Sequence, residues 1–420
     1  MSHRTRPGLA AVLVLLVAPS GGLALAAEPK AAPESTPETA APPPDALLEY
    51  RRNNLPKTLP WKMEAFTPRE RVIGAPRTSL RTAKPSERTI SAEALAAAVD
   101  YARSTDSVGL AVYHRGKVQL EWYAAAIGPG TVAHTYNLQY GTLVLLIGVA
   151  INEGKIASLD EPAATYLPEW RGTPKATITI RNLLQQNAGL DLRFDASKSQ
   201  GMYSRDARAY WGSHSVDVII REYPPVHSPG VVFDYNYIGP VLLGAILERA
   251  TGERYGDYLA KKLWRPLGNH DAYLWLNRPG GEAHQDTALF SGPRDWLHLG
   301  VLLLDRGRFD GRQIVPPFII DEMQKPSAAN PNFGFTYLGS PFQPVRRMAS
   351  DVRVTYTVKS SEPFAAEDVY YIDGYGGQRV YVVPSQQLVV TRIGAVARDW
   401  DNSRLPNLMI RGSHQNGAAR

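Results

Sequence analysis

An asparagine and a tyrosine stand three residues apart at the start of an apolar helix. Asn137 and Tyr140 lie in the stretch HTYNLQYGTLVLLIGVAINEGKI, residues 134–156. Side chains at positions i and i+3 share one face of a helix, so this spacing would suit a nucleophile and its base. An amide has no ionisable proton, however, and a free phenol has a pKa of about 10. The pair therefore has the spacing of a catalytic dyad without the chemistry of one.

The elements around this pair predict an α+β fold. Residues 143–151 are apolar on every side, which is typical of a helix that is buried all round. Ser91 is placed to cap a helix in SAEALAAAVDYARSTD, and VGLAVYHRGKVQLEWYA reads as two strands that meet at residues 114–116. The chain from Thr177 to about Leu276 is predicted to be mostly helical.

The C-terminal third predicts one more helix and then strands. PRDWLHLGVLLLDRG is helical with Gly307 beyond its end. QRVYVVPS and QLVVTRIG are strands with a turn at residues 384–387. Strands near both ends of the chain indicate one antiparallel sheet flanked by helices, with the mostly helical middle packed beside it.

Composition and missing motifs exclude several kinds of site. The net charge of +6 is spread along 420 residues without a Lys/Arg run, so we expect no nucleic-acid partner. The chain has no cysteine, which excludes disulfides, a thiol nucleophile and thiolate metal sites. No H-E-x-x-H or similar cluster occurs, and no phosphate-binding loop is convincing, so we expect neither a metal nor a cofactor.

The first 88 residues are expected to lie outside the main fold. Residues 1–26 carry Arg4 and Arg6, an apolar run and an Ala-Leu-Ala cleavage site, which together predict a signal peptide and export to the periplasm or medium. A Pro-rich tether and a polar arm follow over residues 27–88. The main domain is predicted at 89–412, with its sheet from 89–133 and 290–412, its helical subdomain at 134–289, and a tail at 413–420. No later segment is long and apolar enough for a membrane span.

Several aromatic residues are interpreted as core and not as ligand contacts. They are Trp170, Tyr203, Tyr210, Trp211, Trp264 and Trp296. His134, beside the asparagine, is interpreted as a structural histidine.

Five segments in order resemble the serine β-lactamase-like family, which includes penicillin-binding DD-peptidases, class C β-lactamases, esterases and 6-aminohexanoate-oligomer hydrolases. They are GVAINEGKIASLDEPAATYLPEW, ITIRNLLQQNAGL, FDYNYIGPVLLGAILERATGERYGDYLAKKLWRPLG, GPRDWLHLGVLLLDRGRFDGRQIVP and GYGGQRVYVVPSQQLVV. The resemblance covers residues 91 to 408 and implies the β-lactamase/penicillin-binding-protein fold.

The resemblance also assigns the site. It implies that Asn137 and Tyr140 occupy the family's S-x-x-K serine and lysine positions, and that Tyr235 is the motif tyrosine. Tyr237 stands where that motif has an asparagine. Tyr375, Gly376 and Gly377 occupy the third motif. No serine of this chain has a lysine three residues later.

These residues predict a cleft that is kept without its acyl-transfer groups. The favoured reading is a non-catalytic homologue that binds a small-molecule or peptide-like ligand. One alternative is a hydrolase of esters or amides, including oligomer or peptide amides, with a rearranged site. A second is a periplasmic protein-interaction module. Whether the chain is an enzyme stays open at this point.

Overall fold

The computed structural model describes residues 45–54, 63, 66–77, 80–191, 203–330, 337–338, 360–397 and 399–418. The predicted signal peptide and nearly all of the Pro-rich tether lie outside these residues. The strands are β1 (Arg69–Val72), β2 (Ser107–His114), β3 (Lys117–Tyr123), β4 (Ala133–His134), β5 (Ala272–Trp275), β6 (Leu289–Ser291), β7 (Arg308–Phe309), β8 (Arg312–Gln313), β9 (Tyr337–Leu338), β10 (Tyr370–Gly374), β11 (Gln378–Val383) and β12 (Leu388–Gly394). The helices are α1 (Ala46–Asn54), α2 (Ala92–Ser104), α3 (Gln139–Asn152), α4 (Ile180–Leu184), α5 (Arg205–Trp211), α6 (Ser215–Glu222), α7 (Ile238–Thr251), α8 (Tyr255–Leu259), α9 (Pro293–Leu304), α10 (Pro317–Met323) and α11 (Arg404–Ala418).

Strands from both ends of the chain form the main sheet, as predicted. Within the described residues it has six antiparallel strands in the order β3-β2-β12-β11-β10-β9. The β2–β3 turn contains Arg115 and Gly116, which both have positive φ, at 48° and 84°. Such a turn has the twist that a two-residue hairpin needs. The predicted turn between β11 and β12 is also present, at Pro384–Gln386.

The main sheet lies between α9 on one face and α2 on the other. An added Cβ at Gly300 of α9 would meet Val389 and Val380 of the sheet. Arg392 is three positions after Val389 on β12, so its side chain is on the opposite face of the sheet. It lies over the Trp400 ring, which packs on Tyr101 of α2. The α2 helix begins as predicted, because the Ser91 side chain accepts a hydrogen bond from the Ala94 N–H. The α+β fold class is therefore confirmed.

Helix α3 is the centre of the helical part. All residues from Gln139 to Ala150 are buried, so the prediction of a helix without a solvent face is confirmed. Helices α7 and α10 pack against it. The predicted core residues Trp170, Trp264 and Trp296 have no exposed surface. No helix among the described residues is long and apolar enough to cross a bilayer.

A second sheet departs from the predicted organisation. Its described strands have the order β1-β5-β6-β4, and β5 interrupts the stretch that was predicted to be helical up to Leu276. The helical prediction is therefore wrong for residues 272–275. These four residues, AYLW, show no alternation, and their pairing with β1 is an interaction between distant parts of the chain.

The arm before residue 89 is packed on this second sheet. The Arg51 guanidinium of α1 donates to the carbonyl oxygens of Trp211 and Leu276 at 2.8 and 2.7 Å and lies over the Trp275 ring. A buried arginine placed this way ties the arm to α5 and to the end of β5. At the other end of the chain, α11 continues to Ala418, past the predicted domain end at residue 412.

Candidate active site

Asn137 lies where the resemblance places it, immediately before the buried helix. It is in a one-turn 3-10 helix, residues Tyr136–Leu138, that runs directly into α3. Its Nδ2 donates to the backbone oxygen of Asp286 at 3.3 Å. Tyr136 has a φ of 49°, a left-handed conformation that bulky residues rarely adopt. Such strain tends to occur at functional positions, where the surroundings hold it in place.

A ladder of hydrogen bonds joins residues 134–139 to residues 285–289. Asn137 forms one rung, and the others are His134 Nε2 to Thr287 O at 2.6 Å, Thr135 Oγ1 to Leu289 O at 2.8 Å, Gln139 Nε2 to Gln285 Oε1 at 2.9 Å and Leu289 N to Gln139 Oε1 at 2.8 Å. The Asn137 side chain thus contributes to holding two segments together.

Tyr140 is a buried phenol whose hydroxyl is hydrogen-bonded to the backbone. Its side chain is 9% exposed, and its hydroxyl donates to the Leu184 carbonyl oxygen. Burial, together with the neighbouring Tyr235, raises the pKa of Tyr140 above its usual value. The phenol therefore keeps its proton, which is committed to a backbone oxygen.

Tyr235 lies beside Tyr140 and is positioned by Gln186. The Gln186 carbonyl accepts from the Asp234 N–H, and the Gln186 side chain accepts from the Asn236 N–H, both at 2.9 Å. Burial and the charges of Asp373 and Asp286 raise the pKa of Tyr235, although Arg379 opposes them. The motif tyrosine is therefore also a neutral phenol.

The third-motif residues form the turn between β10 and β11. Gly376 and Gly377 have φ values of 75° and 89°. A Cβ would lie 2.6 Å from the Val396 backbone at the first position and 2.9 Å from the Trp400 ring at the second, so both must be glycine. The Tyr375 ring centroid is 5.7 Å from that of Tyr136, which brings this turn to the Asn137 segment.

Tyr237 connects the site to α5. Its ring packs edge-on against Tyr210 at 5.1 Å, and its hydroxyl is 3.2 Å from that of Tyr223. Tyr210 is half-buried in this position, although it was interpreted as core. We call these six side chains the tyrosine cluster: Tyr136, Tyr140, Tyr210, Tyr235, Tyr237 and Tyr375.

Asp286 is the site residue that sequence reasoning missed. Its carboxyl is 3% exposed, and its Oδ1 has no hydrogen-bond partner among the described residues. Burial raises the pKa of Asp286 to about 7. Its charge in turn contributes to raising the pKa of Tyr210, Tyr235 and Tyr237. Nothing in HQDT marks this aspartate, because the tyrosines that its charge affects come from other segments.

His134 is structural, as interpreted from the sequence. Its ring stacks on Phe290 with centroids 4.7 Å apart, and it packs on Tyr136 at 4.1 Å. Burial lowers the pKa of His134 to about 4. The neutral ring donates its Nε2–H to the Thr287 carbonyl oxygen. It therefore helps to join the two segments and does not transfer protons.

His134→Gln is expected to flatten the pH dependence of stability. The unfolded chain takes up a proton near pH 6.5 that the folded state excludes down to about 4. Stability from His134 is therefore complete above the unfolded pKa and is lost as the pH falls. Between pH 7.5 and pH 5 the wild type should lose about 2 kcal/mol through this residue. Urea unfolding of both proteins at the two pH values measures this loss of unfolding free energy. An equal loss in wild type and variant would contradict the role given to His134.

No group of three or more His, Asp or Glu side chains among the described residues could hold a metal ion.

Comparisons with known proteins agree with this fold. A β-lactamase family model matches residues 92–394. The chain is 23% identical over 245 residues to a 6-aminohexanoate-dimer hydrolase of Paenarthrobacter ureafaciens, which covers 56% of this chain and 62% of that protein. It spans less than two thirds of the length of the curated relatives that it matches.

Solved structures show the same fold at low identity. A Bacillus anthracis protein described as a 6-aminohexanoate-dimer hydrolase is 18% identical with a TM-score of 0.66, covering 86% of this chain and 94% of that one. A class C β-lactamase from Rhodobacter sphaeroides is 20% identical with a TM-score of 0.53, covering 78% and 100%. Because the family model covers well over half of the residues, this chain belongs to the β-lactamase family.

Proposed function

We propose that this protein binds a small-molecule or peptide-like ligand at the tyrosine cluster and performs no serine acyl transfer. One contact carries the proposal above all others, the bond from Asn137 Nδ2 to the Asp286 carbonyl oxygen. An acyl-enzyme needs a nucleophilic oxygen, and an amide offers none. The side chain at the nucleophile position serves the fold instead.

The neighbouring tyrosines do not replace the serine. Burial raises the pKa of Tyr136, Tyr140 and Tyr235 above the ordinary value for a phenol. A phenol becomes a strong nucleophile or base only after losing its proton, and these three keep it at neutral pH. They are suited to stacking on a ligand and donating hydrogen bonds to it.

The ligand class follows from the family and the lining. One relative is named a 6-aminohexanoate-dimer hydrolase and another an N-acetylmuramyl-L-alanine amidase. Half-buried aromatic rings and hydroxyls suit a ligand with both apolar and amide parts. The ligand that we propose is therefore a peptide-like or oligoamide molecule that is bound without being cleaved.

The purified protein should remain unmodified by fluorescent penicillin and by a fluorophosphonate probe. Both reagents need an activated hydroxyl, which position 137 lacks. Intact mass spectrometry, with an S-x-x-K member of the family as positive control, measures the result. A stoichiometric adduct would overturn the proposal and identify the nucleophile. Ester turnover abolished by Tyr235→Phe would favour the hydrolase alternative.

We also propose that the protein is exported, on the strength of residues 1–26 alone. Cleavage after Ala26 is expected in the native host. N-terminal sequencing of the secreted protein tests this, and a mature chain that still begins at Met1 or Ser2 would refute it.

A further inference from the structure

A buried carboxylate without a counter-ion lies beneath the tyrosine cluster. Asp286 is 3% exposed, and its Oδ1 accepts no hydrogen bond from any described residue. Burying a charge without a partner costs several kcal/mol, so such groups are normally paired. The proposed function makes no use of this side chain.

Three tyrosines are near enough to the carboxyl group for its charge to affect their pKa values. Its charge contributes to raising the pKa of Tyr210, Tyr235 and Tyr237, which are half-buried and come from two segments of the chain. The Tyr210 and Tyr237 rings meet at 88° with centroids 5.1 Å apart, and Tyr210 lies 6.3 Å from the His284 ring. An organic cation is attracted both to the face of an aromatic ring and to a carboxylate, so this lining suits one.

The charged groups nearby do not neutralise Asp286. Arg51 faces His284, but its guanidinium donates to three backbone carbonyls. Arg379, on the Tyr235 side, forms a buried ion pair with Asp373. His284 stays uncharged, because burial and Arg51 lower its pKa to about 3. Among the described residues no cation pairs with the Asp286 carboxyl, and the Thr287 hydroxyl and N–H are the neighbouring groups that favour its ionised form.

We propose that the ligand carries a primary ammonium group, which binds between the Asp286 carboxylate and the rings of Tyr210, Tyr235 and Tyr237. This inference rests on the proposed function and adds the charge of the ligand. An ammonium supplies N–H donors for Oδ1 and for the tyrosine hydroxyl oxygens, and its positive charge faces the rings. A metal ion is a poorer fit, since the described residues provide no set of three ligands.

Matched cationic and neutral probes test the proposal by titration calorimetry. The probes are phenethylammonium, its neutral isostere 2-phenylethanol, and phenethyltrimethylammonium, which has no N–H. The protein variants are Asp286→Asn and, as a control, Asp217→Asn, whose side chain is 56% exposed on α6. We expect the wild type to prefer phenethylammonium over both other probes. Asp286→Asn should weaken phenethylammonium binding roughly tenfold or more while Asp217→Asn leaves it unchanged.

A pH series on the wild type keeps the proposal testable if Asp286→Asn does not fold. The carboxyl is largely neutral at pH 5.5 and ionised at pH 8, because burial raises the pKa of Asp286 to about 7. Binding of phenethylammonium should therefore strengthen roughly tenfold or more across this range, while 2-phenylethanol binds equally at both pH values.

Equal binding of phenethylammonium and 2-phenylethanol would overturn the inference. A phenethylammonium affinity that changes neither with Asp286→Asn nor with pH would also overturn it. Tighter binding of the trimethylammonium probe would overturn the choice of a primary amine. None of these results bears on acylation, so they leave the proposed function standing. Conversely, labelling by penicillin or fluorophosphonate would defeat the proposed function without altering the cation preference.

Discussion

The double variant Asn137→Ser, Tyr140→Lys is expected to react with fluorescent penicillin, whereas the wild type and both single variants are not. The two positions are one turn apart at the start of α3, so the new hydroxyl and amine would share a face. Burial favours the neutral form of a lysine, which is the form that accepts the serine proton. Tyr235 remains beside the pair, as its effect on Tyr140 shows.

The single variants separate the two requirements of the reaction. Asn137→Ser alone has a hydroxyl whose proton has no acceptor, and Tyr140→Lys alone has no nucleophile. Mass spectrometry after a long incubation should find an adduct at position 137 of the double variant only. Circular dichroism must first show that each variant is folded, because a buried lysine replaces the bond from Tyr140 to Leu184. A folded double variant that stays unlabelled would mean that the cleft has lost more than these two groups.

Arg379→Met is expected to lower the free energy of unfolding by about 3–5 kcal/mol, through loss of a buried ion pair. The Arg379 and Asp373 side chains are each 1% exposed, and Arg379 also donates to Asn402 Oδ1 at 2.7 Å. Removing the guanidinium leaves the Asp373 carboxylate buried without its cation. Urea unfolding monitored by tryptophan fluorescence measures the change.

Two companion variants show whether the loss comes from the unpaired charge. Arg411→Met breaks the pair with Glu362 at the surface, where the side chains are 57% and 32% exposed, and should cost under about 1 kcal/mol. Adding Asp373→Asn to Arg379→Met removes the stranded charge and should recover a large part of the loss. If Arg379→Met costs no more than Arg411→Met, the buried pair has no special role.

Local patterns in the sequence determined much of the architecture. Ser91 caps α2 by a contact to Ala94, three residues away, and the β2–β3 and β11–β12 hairpins are closed by their own turn residues. The apolar run of α3 predicts burial on all sides because it has no polar face to expose. Asn137 and Tyr140 could be located because the segment that follows them, with Glu153 and Gly154, resembles the family and fixes their place one helical turn apart. In each case the interaction joins residues that are close along the chain.

Contacts between distant segments were decided only by the tertiary structure. Strand β5 could not be recognised from AYLW, because its partner β1 lies some 200 residues earlier in the arm. The hydrogen bond from Asn137 to the Asp286 carbonyl oxygen spans 149 positions, and the types of the two residues do not predict it. Asp286 becomes a site residue only when folding removes its carboxyl from water and brings its charge near tyrosines of two other segments. Its burial and its lack of a partner are properties of that environment, and no spacing along the chain encodes them.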